Sequence, residues 1–387
     1  MYSRRAAFVA ACAGILVFGV AMTALGSLLP SLMQRFQLGP AAAAALFPLL
    51  TLGLLGGSVV FGPIVDRYGY KALLATCIGL ILAGIEVLAV APSPAVVGAA
   101  LVFVGFGGGV VNGATSALVA DISEEGSRGV ALSFMGVFFG LGALGMPFLL
   151  ALLLSRFAYG PVTAAIGAAI ALPLLYVLAI RFPPPKQAQG FPLRSGLGLL
   201  RDPVLLLFGL ALFFESGMET TVSGWTATYV QQALAVPVER ALFYLSAYWL
   251  GMTVGRVLLS FSRRANPVTT LYVSVMLAFL GATSLFNATR PTGAALGCFL
   301  IGFGFAAVFP LIFGFAADRF PTLSGTAFSM LLVMGLVGGT ILPWLVGVLA
   351  ARVGLRDAWL VVPTACIGLA TAFSAARRVL RRTAPAT

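Results

Sequence analysis

The fold is decided by a stretch of sequence that occurs twice. Residues 121–147 read DISEEGSRGVALSFMGVFFGLGALGMP, and residues 318–343 read DRFPTLSGTAFSMLLVMGLVGGTILP. The two copies share aligned glycine, alanine and serine residues and end on Pro147 and Pro343, which are 196 residues apart. Self-similarity at one long offset indicates two related halves rather than many short repeats. We therefore expect equivalent elements in the first and second halves of the chain.

Each copy lies within a series of long apolar runs. Hydrophobic residues make up 60% of the 387 residues and charged residues only 9%, which is far outside the composition of soluble proteins. A segment that crosses the lipid core must be helical over roughly 20 residues, so that its backbone hydrogen bonds are made internally. The sequence predicts an all-α membrane protein with twelve transmembrane helices. The runs cover residues 6–33, 41–65, 72–91, 94–120, 129–155, 161–181, 204–230, 238–261, 267–287, 291–317, 323–351 and 355–376.

The longest polar segment lies in the middle of the chain. Residues 183–203 read PPPKQAQGFPLRSGLGLLRDP, a composition typical of a linker. We predict an N-terminal six-helix bundle over residues 1–182, the linker over 183–203 and a C-terminal six-helix bundle over 204–387. Two parallel halves of this kind are a transporter architecture, in which the halves rock around a site near the bilayer midplane.

The basic residues predict how the chain is oriented. With twelve spans, 17 of the 23 basic residues fall on the side that holds both termini, and the positive-inside rule makes that side the cytoplasm. We expect a multi-pass protein of the bacterial inner (cytoplasmic) membrane with both termini cytoplasmic. The net charge of +12 is scattered between apolar runs, so nucleic-acid binding is not expected. The other six basic residues are Arg35, Arg156, Arg240, Arg290, Arg352 and Arg356.

A charged loop follows the second span. Residues 62–71 read GPIVDRYGYK, with an acid and a base at a helix end, a glycine for a tight turn and a lysine. Such a loop can bind a neighbouring helix end in one conformation and release it in another. The loop resembles the signature G-x-x-x-D-R-x-G-x-[RK] of the major facilitator superfamily, and the chain is identified as a member of it. The resemblance implies the two-bundle major facilitator fold and a gating role for Asp66, Arg67 and Lys71; the alternative is an ordinary solvated turn.

Further gating residues are expected at other span ends. Asp121 and Asp318 occupy equivalent ends of spans four and ten, and Arg128 follows the first of them. Their predicted role is to form gating charge pairs rather than to contact a solute. Arg256 stands where the second half would carry its own charged loop, but this place lacks the acid, so only a partial second latch is expected.

Short patches narrow the resemblance to one branch of the superfamily. GME at residues 217–219, YWLG at 248–251 and FP at 309–310 look like the fucose-permease and sodium-glucose-transporter branch. This implies transport of a hexose-like sugar, by symport with a cation. The first span has no carboxylate, whereas the fucose-permease pattern places a proton-carrying acid there.

Three acids lie inside apolar runs and are the candidates for coupling. A charged carboxylate in the membrane interior costs several kcal/mol unless it is paired or wet, so Glu219, Glu215 and Glu86 are predicted proton or cation carriers. The chain has no histidine, which leaves carboxylates as its evident proton switches. Glu219 is the leading residue and is predicted to bind the solute or the cation, with a structural hydrogen bond across helices as the alternative. Glu215, on the same helical face, is expected to be wet or paired with an arginine, and Glu86 to be structural.

Four further residues are predicted to bind solute. Trp225 and Tyr229 share a helical face and could stack on the apolar faces of a sugar ring, with an aromatic membrane anchor as the alternative. Asn112 in span four offers an amide that could bind solute or join helices. Tyr248 in span eight is the fourth.

The sequence therefore predicts a secondary active transporter that moves a small polar solute, a hexose-like sugar by resemblance, with proton or sodium as the coupling ion. The alternatives are proton-coupled efflux of lipophilic compounds and, from another class, a membrane receptor or structural protein. An enzyme is not expected, because neither histidine ligands nor paired catalytic motifs are present. No cofactor or metal is expected, and the partners would be the solute and membrane lipid around a functional monomer.

Overall fold

A computed structural model describes residues 2–123, 128–184, 201–261, 266–320 and 324–383. Within these ranges the regular secondary structure is α-helical. The helices are α1 (Arg4–Phe36), α2 (Pro40–Ala44), α3 (Leu46–Tyr68), α4 (Tyr70–Val90), α5 (Pro94–Ile122), α6 (Arg128–Leu153), α7 (Tyr159–Ala169), α8 (Ala171–Ala179), α9 (Pro203–Ala233), α10 (Val238–Phe261), α11 (Pro267–Phe286), α12 (Pro291–Arg319), α13 (Ser324–Val353), α14 (Leu355–Ala358) and α15 (Val361–Thr383).

These helices make twelve segments long and apolar enough to cross a membrane, which confirms the predicted all-α membrane fold. Of the described helices, nine form a span each. The other three spans are made by two consecutive helices, namely α2 with α3, α7 with α8, and α14 with α15. The seventh and eighth spans, which hold most of the predicted site, are therefore α9 and α10.

Prolines explain the three interrupted spans. The breaks fall at Ala45, Ile170 and Leu360, and a proline follows each of them by three residues (Pro48, Pro173 and Pro363). Proline has no N–H to donate to the carbonyl oxygen of the residue four positions earlier, and its ring collides with that carbonyl group. In each of the three spans the helix is interrupted at the residue that follows this carbonyl group.

Turn chemistry sets several helix ends. Gly69 joins α3 directly to α4 with φ of 77°, a left-handed region that glycine adopts without strain. This is the glycine for which the charged loop predicted a tight turn. Pro267 starts α11 behind Asn266, whose side chain accepts hydrogen bonds from the N–H groups of Val268 (3.0 Å) and Thr269 (3.2 Å).

The chain divides into two compact units. The first comprises Met1–Gln189 with Thr226–Trp249, and the second comprises Gly190–Trp225 with Leu250–Thr387. Helices α9 and α10 thus each contribute to both units. The division at residues 183–203 into two six-helix bundles stays a prediction.

Close helix contacts repeat between the units at the predicted spacing. In the first unit a Cβ added at Gly142 of α6 would collide with the carbonyl oxygen of Leu16 in α1. In the second unit a Cβ added at Gly338 of α13 would collide with that of Phe213 in α9. Glycine is needed at both places because two backbones meet there. Gly142 and Gly338 are 196 residues apart and Leu16 and Phe213 are 197 apart, which matches the sequence repeat.

A second pair of contacts has nearly the same spacing, with Gly57 and Gly255 198 residues apart. A Cβ added at Gly57 of α3 would collide with the carbonyl oxygen of Phe106 in α5. A Cβ added at Gly255 of α10 would lie 3.0 Å from the carbonyl oxygen of Phe303 in α12. Phe106 and Phe303 are again 197 residues apart. The internal repeat of the sequence is therefore a repeat of backbone contacts.

Candidate functional site

The seventh span carries a fully buried carboxylate. The side chain of Glu215 in α9 has a relative exposure of 0%. Its Oε2 accepts a hydrogen bond from Ser216 Oγ at 2.9 Å, while its Oε1 is also buried and is reached by no hydrogen-bond donor of the described residues. Glu215 is therefore not wet in this conformation. An ionised carboxylate in such a place needs a nearby positive charge or a proton.

A second carboxylate and one guanidinium interact electrostatically with Glu215. Glu219 is one helical turn further along α9 and is half-buried. Arg256 of α10 interacts electrostatically with both carboxylates, which also interact with each other. All three residues belong to the second unit. Together they can hold a proton or a cation, and the part of Glu219 that remains exposed can accept hydrogen bonds from solute hydroxyl groups.

Helix α13 packs its glycines against the hydroxyl groups of this site. A Cβ added at Gly335 would lie 2.9 Å from Ser216 Oγ, and one added at Gly339 would lie 3.0 Å from Thr220 Oγ1. Thr220 Oγ1 donates to the carbonyl oxygen of Ser216 at 2.8 Å. The missing side chains on α13 thus make room for the polar face of α9. Ser216 is held in the position from which it donates to Glu215.

Trp225 joins α9 to α13. Its indole N–H donates to the carbonyl oxygen of Pro343 at 2.9 Å, and its side chain has 0% relative exposure. In this conformation the indole N–H binds the protein, so it would have to leave Pro343 before it could bind a solute. The role of Trp225 as a solute contact stays a prediction.

The other predicted solute contacts lie in the first unit, whereas Glu219 and Trp225 lie in the second. Asn112 of α5 is half-buried, and its main-chain carbonyl oxygen accepts a hydrogen bond from Thr115 Oγ1 at 3.3 Å. Tyr229 and Tyr248 are buried, and the Tyr248 ring packs edge-on against Trp249 with centroids 5.1 Å apart. Their binding roles stay predictions.

Glu86 lies at a helix contact of the first unit. It is half-buried on α4, and its Oε1 occupies the space beside Gly167 of α7, where an added Cβ would collide with it. The carboxylate therefore packs between two helices. This geometry favours the structural role that was expected of Glu86 over a coupling role.

The predicted gating residues are described only in part. The side chains of Asp66, Arg67 and Arg128 lie outside the described residues. Lys71 and Asp318 are exposed. Asp121 accepts a hydrogen bond from the hydroxyl of Tyr70 at 2.6 Å, which ties the end of α5 to the start of α4.

Sequence reasoning missed one ionic contact in the second unit. Asp202 caps α9, with its Oδ1 accepting from the N–H groups of Val204 (2.7 Å) and Leu205 (3.4 Å), and its Oδ2 pairs with Arg319 Nη2 at 3.3 Å. An acid directly before a proline at the start of an apolar run is a helix-start signal, so the cap could have been found. The ion pair joins residues 117 positions apart, and no local pattern signals it.

Comparison with known proteins agrees with this architecture. The gentisate transporter of Corynebacterium glutamicum is 24% identical over 378 residues, covering 93% of this chain and 85% of that protein. The glucose/mannose transporter GlcP of Bacillus subtilis is 21% identical over 345 residues, covering 85% and 84%. The crystal structure of a mutant of the nucleoside transporter NupG shares the fold, with a TM-score of 0.81, 15% identity and coverage of 96% and 99%.

The family model described as Major Facilitator Superfamily matches residues 11–343, which is most of the chain. That match includes the charged loop, both copies of the repeat and the carboxylates of α9. With twelve spans and a repeat of backbone contacts between the units, the protein belongs to the Major Facilitator Superfamily of transporters.

Proposed function

We propose that this transporter moves a small neutral polar solute, a hexose-like sugar, across the inner membrane by alternating access. The observation that carries the proposal is the charge balance of the buried polar site in α9 and α10. Two carboxylates, Glu215 and Glu219, interact there with the single guanidinium of Arg256. Among the residues that the structure describes, the site has no positive charge left over.

This balance supports one class of solute over the others. An organic anion needs an uncompensated positive charge, and Arg256 already faces two carboxylates. A lipophilic compound would leave the exposed part of the Glu219 carboxylate without a hydrogen-bond donor. A neutral solute rich in hydroxyl groups can donate hydrogen bonds to Glu219. The site therefore favours a neutral, hydroxylated solute.

The named relatives support a sugar as the solute only in part. GlcP is named as a glucose/mannose transporter, whereas the relative from Corynebacterium glutamicum is named for gentisate, which is a carboxylate. The patches at residues 217–219, 248–251 and 309–310 add the resemblance to the sugar branch. The charge balance of α9 and α10 is the reason for following the sugar relative.

The remaining parts of the proposal concern orientation and gating. Both termini would lie in the cytoplasm, where most basic residues of the chain fall. Two six-helix bundles joined by residues 183–203 would alternate around the site as a monomer. The charged loop with Asp66 and Arg67 would latch one conformation, and a proton or sodium ion bound at Glu219 would couple the movement to a gradient.

The test is counterflow in proteoliposomes that contain the purified protein. The panel of labelled compounds is D-glucose, D-mannose, L-fucose, gentisate and a lipophilic cationic dye. We expect saturable exchange of at least one hexose. Glu219→Gln should lower that exchange by about tenfold or more, the cost of one hydrogen bond to a charged group. Glu239→Gln, a carboxylate change at the start of α10 outside the site, is the matched control and should not.

Each other result of the transport assay contradicts a particular part of the proposal. Saturable exchange of gentisate without any hexose exchange would replace the solute class by organic anions. Transport of the dye alone would favour efflux of lipophilic compounds. Flux of none of these probes would contradict the proposal for a hexose-like cargo. Unchanged exchange in Glu219→Gln would remove Glu219 from the site.

A further inference from the structure

The inner carboxylate of α9 is sealed from solvent. Both oxygens of Glu215 lie in a side chain with 0% relative exposure, and among the described residues only Oε2 has a donor, the hydroxyl of Ser216. Polar groups buried this deeply almost always have partners. An oxygen without a donor, on a carboxyl group that interacts with a second carboxylate, is the arrangement of a carboxylic acid whose own proton is donated to its neighbour.

The charged and titratable neighbours of this stretch come from three helices. Glu219 lies on α9 itself, and Arg256 comes from α10. Helix α15 brings the thiol of Cys366, whose Sγ lies 3.4 Å from the Sδ of Met218. Helix α13 meets the same stretch with glycine residues and Leu342, none of which titrates. Within the described part of the chain, the charges to be balanced are therefore two carboxylates and one guanidinium.

The surplus negative charge needs one more positive charge. A buried carboxylate left unpaired costs several kcal/mol even after the surroundings relax. Sodium would need several oxygen ligands and space around them, whereas Oε1 of Glu215 is enclosed and the glycines of α13 close directly on Ser216. A proton neutralises a carboxylate and occupies no additional space. Of the two coupling ions, only the proton fits the inner oxygen.

We infer that Glu215 and Glu219 together hold one exchangeable proton, while Arg256 balances the charge that remains. Glu215 and Glu219 are the two ends of this proton site, one sealed and the other half-exposed, so Glu219 provides the way in and out. Binding of the proton does not depend on any solute. The role of the pair as the coupling site rests on the proposed transport function.

The test is infrared difference spectroscopy of the full-length protein in lipid nanodiscs, recorded between alkaline and acidic buffer. The readout is the carbonyl stretch of protonated carboxylic acids. We expect the wild type to show a pH-dependent band that is lost in both Glu215→Gln and Glu219→Gln, because either change leaves one carboxylate paired with Arg256. Glu239→Gln should keep the band.

Two further measurements make the result specific. Arg256→Gln should strengthen the band, since the remaining carboxylate then also takes a proton, whereas a purely structural arginine would leave it unchanged. Glu215→Asp keeps an acid and should show the band again, whereas a band that Glu215→Gln lost through disturbed packing would not return in this shorter side chain. Folding of each variant is checked by its elution as a single species and its melting temperature.

The outcomes separate this inference from the proposed function. A band that persists in both glutamine variants overturns the shared proton. A wild-type band that sodium chloride abolishes at constant pH shows that the pair binds sodium, which also overturns it. The expected band together with no hexose exchange in proteoliposomes leaves the proton site standing and refutes the cargo. Hexose exchange without the band leaves the proposed cargo standing and refutes the proton site.

Discussion

Asp202 makes two separable contributions to stability, and two substitutions can measure them. Its Oδ1 caps α9 and its Oδ2 pairs with Arg319 at 3.3 Å, with the side chains 22% and 39% exposed. Asp202→Asn keeps an equally good cap and loses the ion pair and the negative charge at the helix start. A partly exposed pair contributes about 0.5 kcal/mol, and the charge at the helix start a similar amount. We expect Asp202→Asn to cost about 1 kcal/mol.

Asp202→Ala removes the cap as well. Loss of an N-cap typically costs ~1 kcal/mol, so this variant should lose about 2 kcal/mol in total. Arg319→Gln should lose about 0.5 kcal/mol, and its combination with Asp202→Asn should show a coupling energy of the same size. The free energies of unfolding are measured in mixed micelles by detergent-induced denaturation. Equal losses in the asparagine and alanine variants would refute the cap, and a coupling energy of zero would refute the ion pair.

Three other substitutions test the close contacts within each unit. Gly338→Ala should lower the free energy of unfolding by about 1–3 kcal/mol through overpacking against the backbone of α9. Gly314→Ala, where an added Cβ meets nothing within 4 Å, should raise it by about 0.5–1 kcal/mol, because alanine favours a helix more than glycine does. Equal effects of the two variants in the same unfolding assay would contradict this. Trp225→Phe removes the buried donor to the carbonyl of α13 and should cost about 1–3 kcal/mol by thermal denaturation, so an unchanged melting temperature would count against the bond. Tyr70→Phe removes the hydrogen bond to the exposed carboxylate of Asp121 and should cost about 1 kcal/mol. Hydrogen exchange should rise at the start of α4 and the end of α5, and unaltered exchange there would argue against this hydrogen bond.

The helical part of the fold was within reach of the sequence because burial in lipid leaves few solutions. The run at residues 72–91 corresponds to α4 (Tyr70–Val90), and the run at 267–287 to α11 (Pro267–Phe286). The single run at 161–181 is broken at Ile170, and the break follows from Pro173. Pro147 and Pro343, however, lie inside unbroken helices, so the sequence alone did not show which proline interrupts its span.

The site was only partly within reach. The spacing of four residues places Glu215 and Glu219 on one helical face. It does not say which of them is sealed, because that depends on the glycines of α13 more than a hundred residues later. The structure makes Glu215 the sealed carboxylate and Glu219 the half-exposed one, and it sets Arg256 beside both.

By itself the sequence determined the twelve apolar spans, the internal repeat and the tight turn at Gly69, since each depends on local composition or on the comparison of two stretches. Tertiary structure alone decided that Gly142 and Gly338 are sites of backbone contact, that the N–H of Trp225 binds Pro343 and that Asp202 pairs with Arg319. These contacts join residues far apart in the chain. Their partners are chosen by how the helices pack, and a single sequence carries no local signal of that choice.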